Sequence, residues 1–101
     1  MKRLLAATLA AAAFSSPAFA SPELAAKYDC MGCHKDQSKV LGPSFKDVAT
    51  RYAGNKNAEE QMAHKIIKGG AGVWGPVPMP ANAKIPAADA RKLASWVLSV
   101  R

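Results

Sequence analysis

Cys30-Met31-Gly32-Cys33-His34 is the stretch on which the reading of this chain turns. Two thiols three positions apart, followed at once by a histidine, form the C-x-x-C-H pattern of c-type haem attachment. The chemistry explains the spacing. Two thiols add to the two vinyl groups of the porphyrin and tether it, and the next residue, His34, is then held beneath the iron with a ring nitrogen facing it. Gly32 is small enough to let the backbone pass close to the macrocycle. Other uses of the pair fit less well. A thioredoxin-like disulfide site needs a βαβ pattern, which the chain lacks. A structural zinc site needs about four ligands, and only Cys30, Cys33, His34 and His64 are available, with no second cluster.

Outward from the motif, the 101-residue chain has room for one domain. Residues 1–20 read as a cleaved secretory signal peptide. Lys2 and Arg3 start it, Leu4 to Phe14 is an apolar run of eleven residues, and Ala18-Phe19-Ala20 offers small residues at the cleavage positions. The run is too short for a membrane span, and no other stretch is longer. The mature domain is then 21–101, 81 residues carrying twelve Lys+Arg against seven Asp+Glu. A core of that size contributes only about 3–5 kcal/mol by itself. A tethered macrocycle at its centre supplies the missing apolar volume.

The mature chain reads as all-α, four to five helices around one haem. Pro22-Glu23 opens a first helix, with Leu24, Tyr28 and Met31 at helical spacing, expected to run into Cys30–His34. Lys35 to Gly42 is a polar loop. Pro43 opens a second helix from Ser44 to about Ala53, with Phe45, Val48, Ala49 and Tyr52 on one side. Asn57 and Glu60 look like a capping box. They precede a third helix with the stripe Met62, Ala63, Ile66, Ile67, which Gly69-Gly70 stops. Residues 69–84 contain four Gly and three Pro among Val73, Trp74, Val77 and Met79. That is a long loop without regular structure, a length that is usually functional, and its apolar residues are expected to be buried. Pro86 starts the last helix, where Leu93, Trp96, Val97 and Val100 share a face.

Iron in a tethered haem needs a second axial partner or an open site. Met31 sits beside the tether and cannot cross to the far side. Met62 lies in the third helix's stripe, where core packing is its plainer role. His64 falls roughly 130° from the centre of that stripe and so faces solvent. Met79 remains, in Gly75-Pro76-Val77-Pro78-Met79-Pro80, where three prolines stiffen the backbone. The alternative is a methionine that fills a core gap from a loop. His/Met ligation raises the reduction potential. With both axial positions filled, electron transfer is favoured over oxygen activation or gas binding.

The blocks C-M-G-C-H, L-G-P-S-F-K-D-V-A, G-V-W-G-P-V-P-M-P-A-N and L-A-S-W-V-L-S resemble, in this order, the bacterial class I cytochrome c of the cytochrome c-551 (c-552) type. The likeness spans essentially all of 21–101. It implies a small periplasmic electron carrier with one haem c. Cys30 and Cys33 would form the thioethers, and His34 and Met79 would be the axial ligands. The resemblance also implies that Pro43 offers its carbonyl to His34. Trp74 would donate its indole N–H to a haem propionate, and Asn82 would bring its amide to the methionine sulfur. Lys65 would lie near a propionate, at a position that is often Arg, and it lacks that residue's bidentate geometry. Trp74 as plain core and Asn82 as a turn residue are the simpler readings of the same positions. Lys84-Ile85-Pro86 is one residue longer than the common connection before the last helix.

The resemblance further implies a cytochrome bc1-type donor and a terminal oxidase or nitrite reductase as acceptor, met by a monomer. The basic balance does not point to nucleic acid, since the lysines are scattered and the export signal removes the chain from that partner. Lys27, Lys35, Lys39 and Lys46 lie near the haem-binding segment in sequence. They either steer an acidic redox partner or merely solubilise the surface. Two other classes stay in view: a haem protein with a labile sixth site, acting as peroxidase or gas sensor, and a haem-free thiol–disulfide protein.

Overall fold

A computed structural model describes residues 21–101; the expected signal peptide, 1–20, lies outside the described residues. Four α-helices and one 3-10 turn follow in order: α1 (Ser21–Lys27), the turn Cys30–Gly32, α2 (Phe45–Arg51), α3 (Ala58–Lys68) and α4 (Ala87–Ser99). Among the described residues there is no strand, only an isolated antiparallel bridge between Gly70 and Met79. No helix among them is long and apolar enough to cross a membrane.

α4 is the centre of the packing, meeting α1, α2 and α3. The period of its apolar residues explains this. Leu93 and Val97 are buried on the expected face, and Ala90 and Ala94 widen it. Against α1 and α3 it closes a cluster of Leu24, Ala25, Ala63, Ile66, Ile85, Ala90, Leu93 and Ala94. Against α2 it closes a second cluster of Phe45, Val48 and Val97. Each large side chain removed from water in this way contributes about 1.5–3 kcal/mol. Cys30, Met31, Met62 and Trp96 are half-buried and pack against both clusters. Trp96 meets Phe45 edge to face at 5.2 Å.

The ends of the helices differ in detail from the sequence reading. α1 does not run through the cysteines. It closes at Lys27, with the Asp29 N–H turning back to Ala26 O at 3.2 Å. Asp29 then takes a left-handed conformation, φ 60°, which a short polar side chain tolerates better than most. α2 is shorter than expected and is capped by Ser44, whose Oγ accepts from the Asp47 N–H at 3.0 Å. Asn57 stands at the N-cap of α3 as expected but makes no side-chain cap bond. Its φ, ψ of −100°, 7° lie outside the extended region that a capping side chain requires. The Asn55 side chain acts instead, accepting from Asn57 N–H at 2.9 Å and donating to Gln61 at 3.1 Å. A phenol-to-carboxylate bond, Tyr28 Oη to Asp89 at 2.8 Å, ties the chain just after α1 to the first turn of α4.

Candidate haem site

The motif segment is a compact turn. Cys33 N–H and His34 N–H both return to the Cys30 carbonyl, at 3.2 and 3.0 Å. This places the two thiols on one tight loop, both free and both half-buried. Burial pushes the Cys30 thiol above its ordinary range, with a smaller opposing effect from its backbone hydrogen bond. Gly42 N–H then reaches back to Cys33 O at 2.8 Å and brings the Leu41-Gly42-Pro43 segment beneath the histidine.

His34 is fixed from three directions. Its Nδ1 lies 2.8 Å from the Pro43 carbonyl. A carbonyl can only accept, so Nδ1 carries a proton, and in the neutral ring the lone pair is then on Nε2. This is the tautomer a metal ligand needs, oriented by a backbone partner as ligating histidines usually are. One ring face stacks on Phe45, centroids 5.2 Å apart at 23°. The ring also lies against Gly42, where a Cβ would stand 2.5 Å from Cε1 and 2.8 Å from Nδ1. In the sequence Gly42 stands out only as the end of the polar loop and the middle of L-G-P, where its small size beside a proline is the one sign of this contact.

Met79 is anchored by its backbone. It exchanges two hydrogen bonds with Gly70, Gly70 N–H to Met79 O at 3.0 Å and Met79 N–H to Gly70 O at 2.8 Å. Its half-buried side chain packs against the α1–α3–α4 cluster, which Cys30, Met31 and Met62 also touch. Asn82 is half-buried. Its N–H donates to Ile66 O at 3.2 Å and its carbonyl accepts from Ile85 N–H at 3.1 Å, so its backbone joins the end of α3 to the approach to α4. Lys65 is half-buried, with its ammonium resting against Gly70. His64 is exposed on α3. Among the described residues no three His, Cys, Asp or Glu side chains converge as a metal cluster would.

Of the loop's apolar residues, the polypeptide alone half-buries Met79 and leaves the others exposed. Trp74 and Val73 are each 40% exposed and Val77 is 59% exposed. Gly72 N–H bonds to Gly75 O at 2.9 Å across the turn that contains Val73 and Trp74. Trp74 is held there by Arg51 of α2, whose guanidinium carbon lies 4.9 Å from the ring centre.

A helical domain with two adjacent thiols, an Nε2-presenting histidine and an anchored half-buried methionine fits a covalently attached haem, which defines a c-type cytochrome. The comparisons agree. The cytochrome c family model matches residues 20–101, and the chain belongs to the cytochrome c family. Cytochrome c-552 of Hydrogenobacter thermophilus is 48% identical over 79 residues, 78% of this chain and 80% of the relative. Cytochrome c-551 of Allochromatium vinosum is 44% identical over 77 residues, 76% of this chain and 82% of the relative. The crystal structure of Nitrosomonas europaea cytochrome c552 superposes with a TM-score of 0.77 at 44% identity, covering 79% of this chain and 99% of that one. The protein is a monohaem class I c-type cytochrome that binds haem c through Cys30 and Cys33. It carries electrons and is not an enzyme.

Proposed function

We propose that this cytochrome is a periplasmic shuttle, exported by a cleaved signal at 1–20, with His34 and Met79 as its axial ligands. The observation that carries the reading is the His34–Pro43 bond, which supports Nε2 of the neutral ring as the donor to iron. Haem c, when bound, supplies one-electron Fe(III)/Fe(II) chemistry. The chain's own residues do the rest. Cys30 and Cys33 tether, the Pro43 carbonyl strengthens His34 as a donor, and the Gly70 bridge presents Met79. If His34 and Met79 both hold the iron, the bound haem would keep no open site for a gas or peroxide, which favours electron transfer.

The same reading gives roles to the flanking residues. Arg51 occupies one face of Trp74, and the indole N–H would serve a haem propionate. Lys65, half-buried, would supply an ammonium to the propionates. Asn82, held by its backbone bonds, would bring its amide to the Met79 sulfur. Lys35, Lys39 and Lys46 are exposed and steer an acidic redox partner. A cytochrome bc1-type donor and a terminal oxidase or nitrite reductase acceptor suit a monomeric carrier of this kind.

The test is the visible spectrum of protein exported with the haem-maturation machinery. The oxidised wild type should show the far-red sulfur-to-iron band, and Met79→Ala should lose it. A Met79→Ala variant that keeps the band, or a wild type without it, overturns the ligand assignment.

A further inference from the structure

We propose that Gly69 is a positioning residue for Met79: the missing side chain at the end of α3 is the seat on which the methionine's backbone rests. The inference rests on the Met79 ligation proposed above and goes beyond it to what fixes the ligand's place. Gly69 has φ 69° and ψ −163°, a combination open in practice only to glycine. A Cβ there would overlap the Met79 carbonyl oxygen and stand 2.8 Å from the Ala81 nitrogen and 2.9 Å from the Pro80 carbonyl carbon. All three are backbone atoms, and none can rotate away as the end of a side chain could.

The seat belongs to a larger joint. Gly69 N–H closes α3 onto Lys65 O at 2.7 Å, and Asn82 N–H takes the Ile66 carbonyl at 3.2 Å. Carbonyls at the end of a helix need such partners, and here the Met79 segment supplies one of them. Gly70, the next residue, makes both bridge bonds to Met79. Residues 79–82 are therefore built onto the C-terminus of α3 by backbone contacts. The methionine's Cα moves only if the joint opens. Gly70 also has a positive φ, 143°, but its contact differs in kind: a Cβ there would meet the Lys65 ammonium at 2.7 Å, the free end of a flexible chain.

Gly54 provides the control. Its φ of 79° is close to that of Gly69, and a Cβ there meets nothing within 4 Å. Gly69→Ala and Gly54→Ala thus both place a side chain at positive φ, and only the first also meets the Met79 segment. The experiment uses haem-loaded protein and follows two signals on heating, the far-red sulfur-to-iron band and the far-ultraviolet helical signal. In wild type and Gly54→Ala the two should fade together. In Gly69→Ala the band should fade at least 10 °C before the helices, and the reduced protein should bind carbon monoxide at least tenfold faster than Gly54→Ala. The Met79 and Gly70 amide protons should also exchange at least tenfold faster than in Gly54→Ala.

Coincident fading in Gly69→Ala, with carbon monoxide binding and exchange like those of Gly54→Ala, overturns the proposal. If Gly69→Ala yields no haem-loaded protein, Gly70→Ala carries the test. An early loss of its band, smaller than 10 °C, supports the joint, and a band as persistent as that of Gly54→Ala overturns it. Met79→Ala is measured beside them. Retention of the band there defeats the ligand assignment itself, a failure distinct from that of the seat.

Discussion

Replacing Gly42 by alanine should disturb His34 without substituting a proposed ligand or straining the backbone. Gly42 is not among the residues with positive φ, so its backbone accepts alanine and the effect comes from contact alone. The added Cβ would stand 2.5 Å from Cε1, 2.8 Å from Nδ1 and 3.1 Å from Nε2 of His34. Ordinary carbon contacts begin near 3.5 Å, so the ring must shift by about 1 Å along its normal. That shift tilts the 2.8 Å bond to Pro43 out of the ring plane and presses the imidazole toward Phe45, itself only 4% exposed. Overpacking of this kind costs about 1–3 kcal/mol. For a domain of this size a loss of about 2 kcal/mol lowers Tm by roughly 8–16 °C. Thermal unfolding of the haem-loaded protein measures it, and nuclear magnetic resonance follows the His34 Nδ1–H, which should exchange faster with solvent. A Gly42→Ala protein that melts within about 2 °C of wild type and keeps a protected Nδ1–H would refute the reasoning.

Two further perturbations test contacts remote from the motif. Tyr28→Phe removes the hydroxyl that donates to Asp89 and should destabilise the protein. That hydrogen bond, followed by burial and by the negative charge of Asp89, raises the Tyr28 pKa above 10.0. Because the folded value is the higher one, the contribution is complete below the unfolded pKa and is lost as pH rises through the folded one. The gap in denaturation midpoint between wild type and Tyr28→Phe should therefore be constant from pH 7 to 9 and narrow above about pH 10; a gap that does not narrow contradicts the assignment. Arg51→Ala should lose the stacking on Trp74, about 0.5–1 kcal/mol for an exposed pair. Arg51→Lys should recover only part of it, since an ammonium lacks the planar stacking face. A double-mutant cycle with Trp74→Ala, read by chemical denaturation, should return a coupling of that size, and a coupling of zero would remove the clamp.

The parts of this fold legible in the sequence are those written as periodic apolar stripes. Leu93 and Val97 on α4, Ala63 and Ile66 on α3, and Phe45 and Val48 on α2 are all buried where their spacing put them. Periodicity reports which side of a segment is buried and says little about the backbone that carries it. Tyr28 and Met31 are both half-buried and keep helical spacing with Leu24, yet the chain leaves the helix between them at Asp29. Apolar character at Val73, Trp74 and Val77 likewise does not say what covers them, since the polypeptide alone leaves all three exposed around the Gly72–Gly75 turn.

The site is legible in its chemistry and not in its supports. C-x-x-C-H names the thiols and the histidine, and the L-G-P block of the family resemblance points to the Pro43 carbonyl found beside His34. What presents the two proposed ligands is a pair of close backbone approaches, and close approach has no period and no side chain to read. Gly42 lies flat against the His34 ring, and Gly69 lies against the Met79 carbonyl. At each, one methyl group would occupy space taken by the ligand residue itself. The two glycines act for different reasons, since Gly69 also needs a positive φ and Gly42 does not. Any side chain at Gly42 should therefore harm the site in proportion to its bulk, whereas at Gly69 even alanine already incurs both penalties.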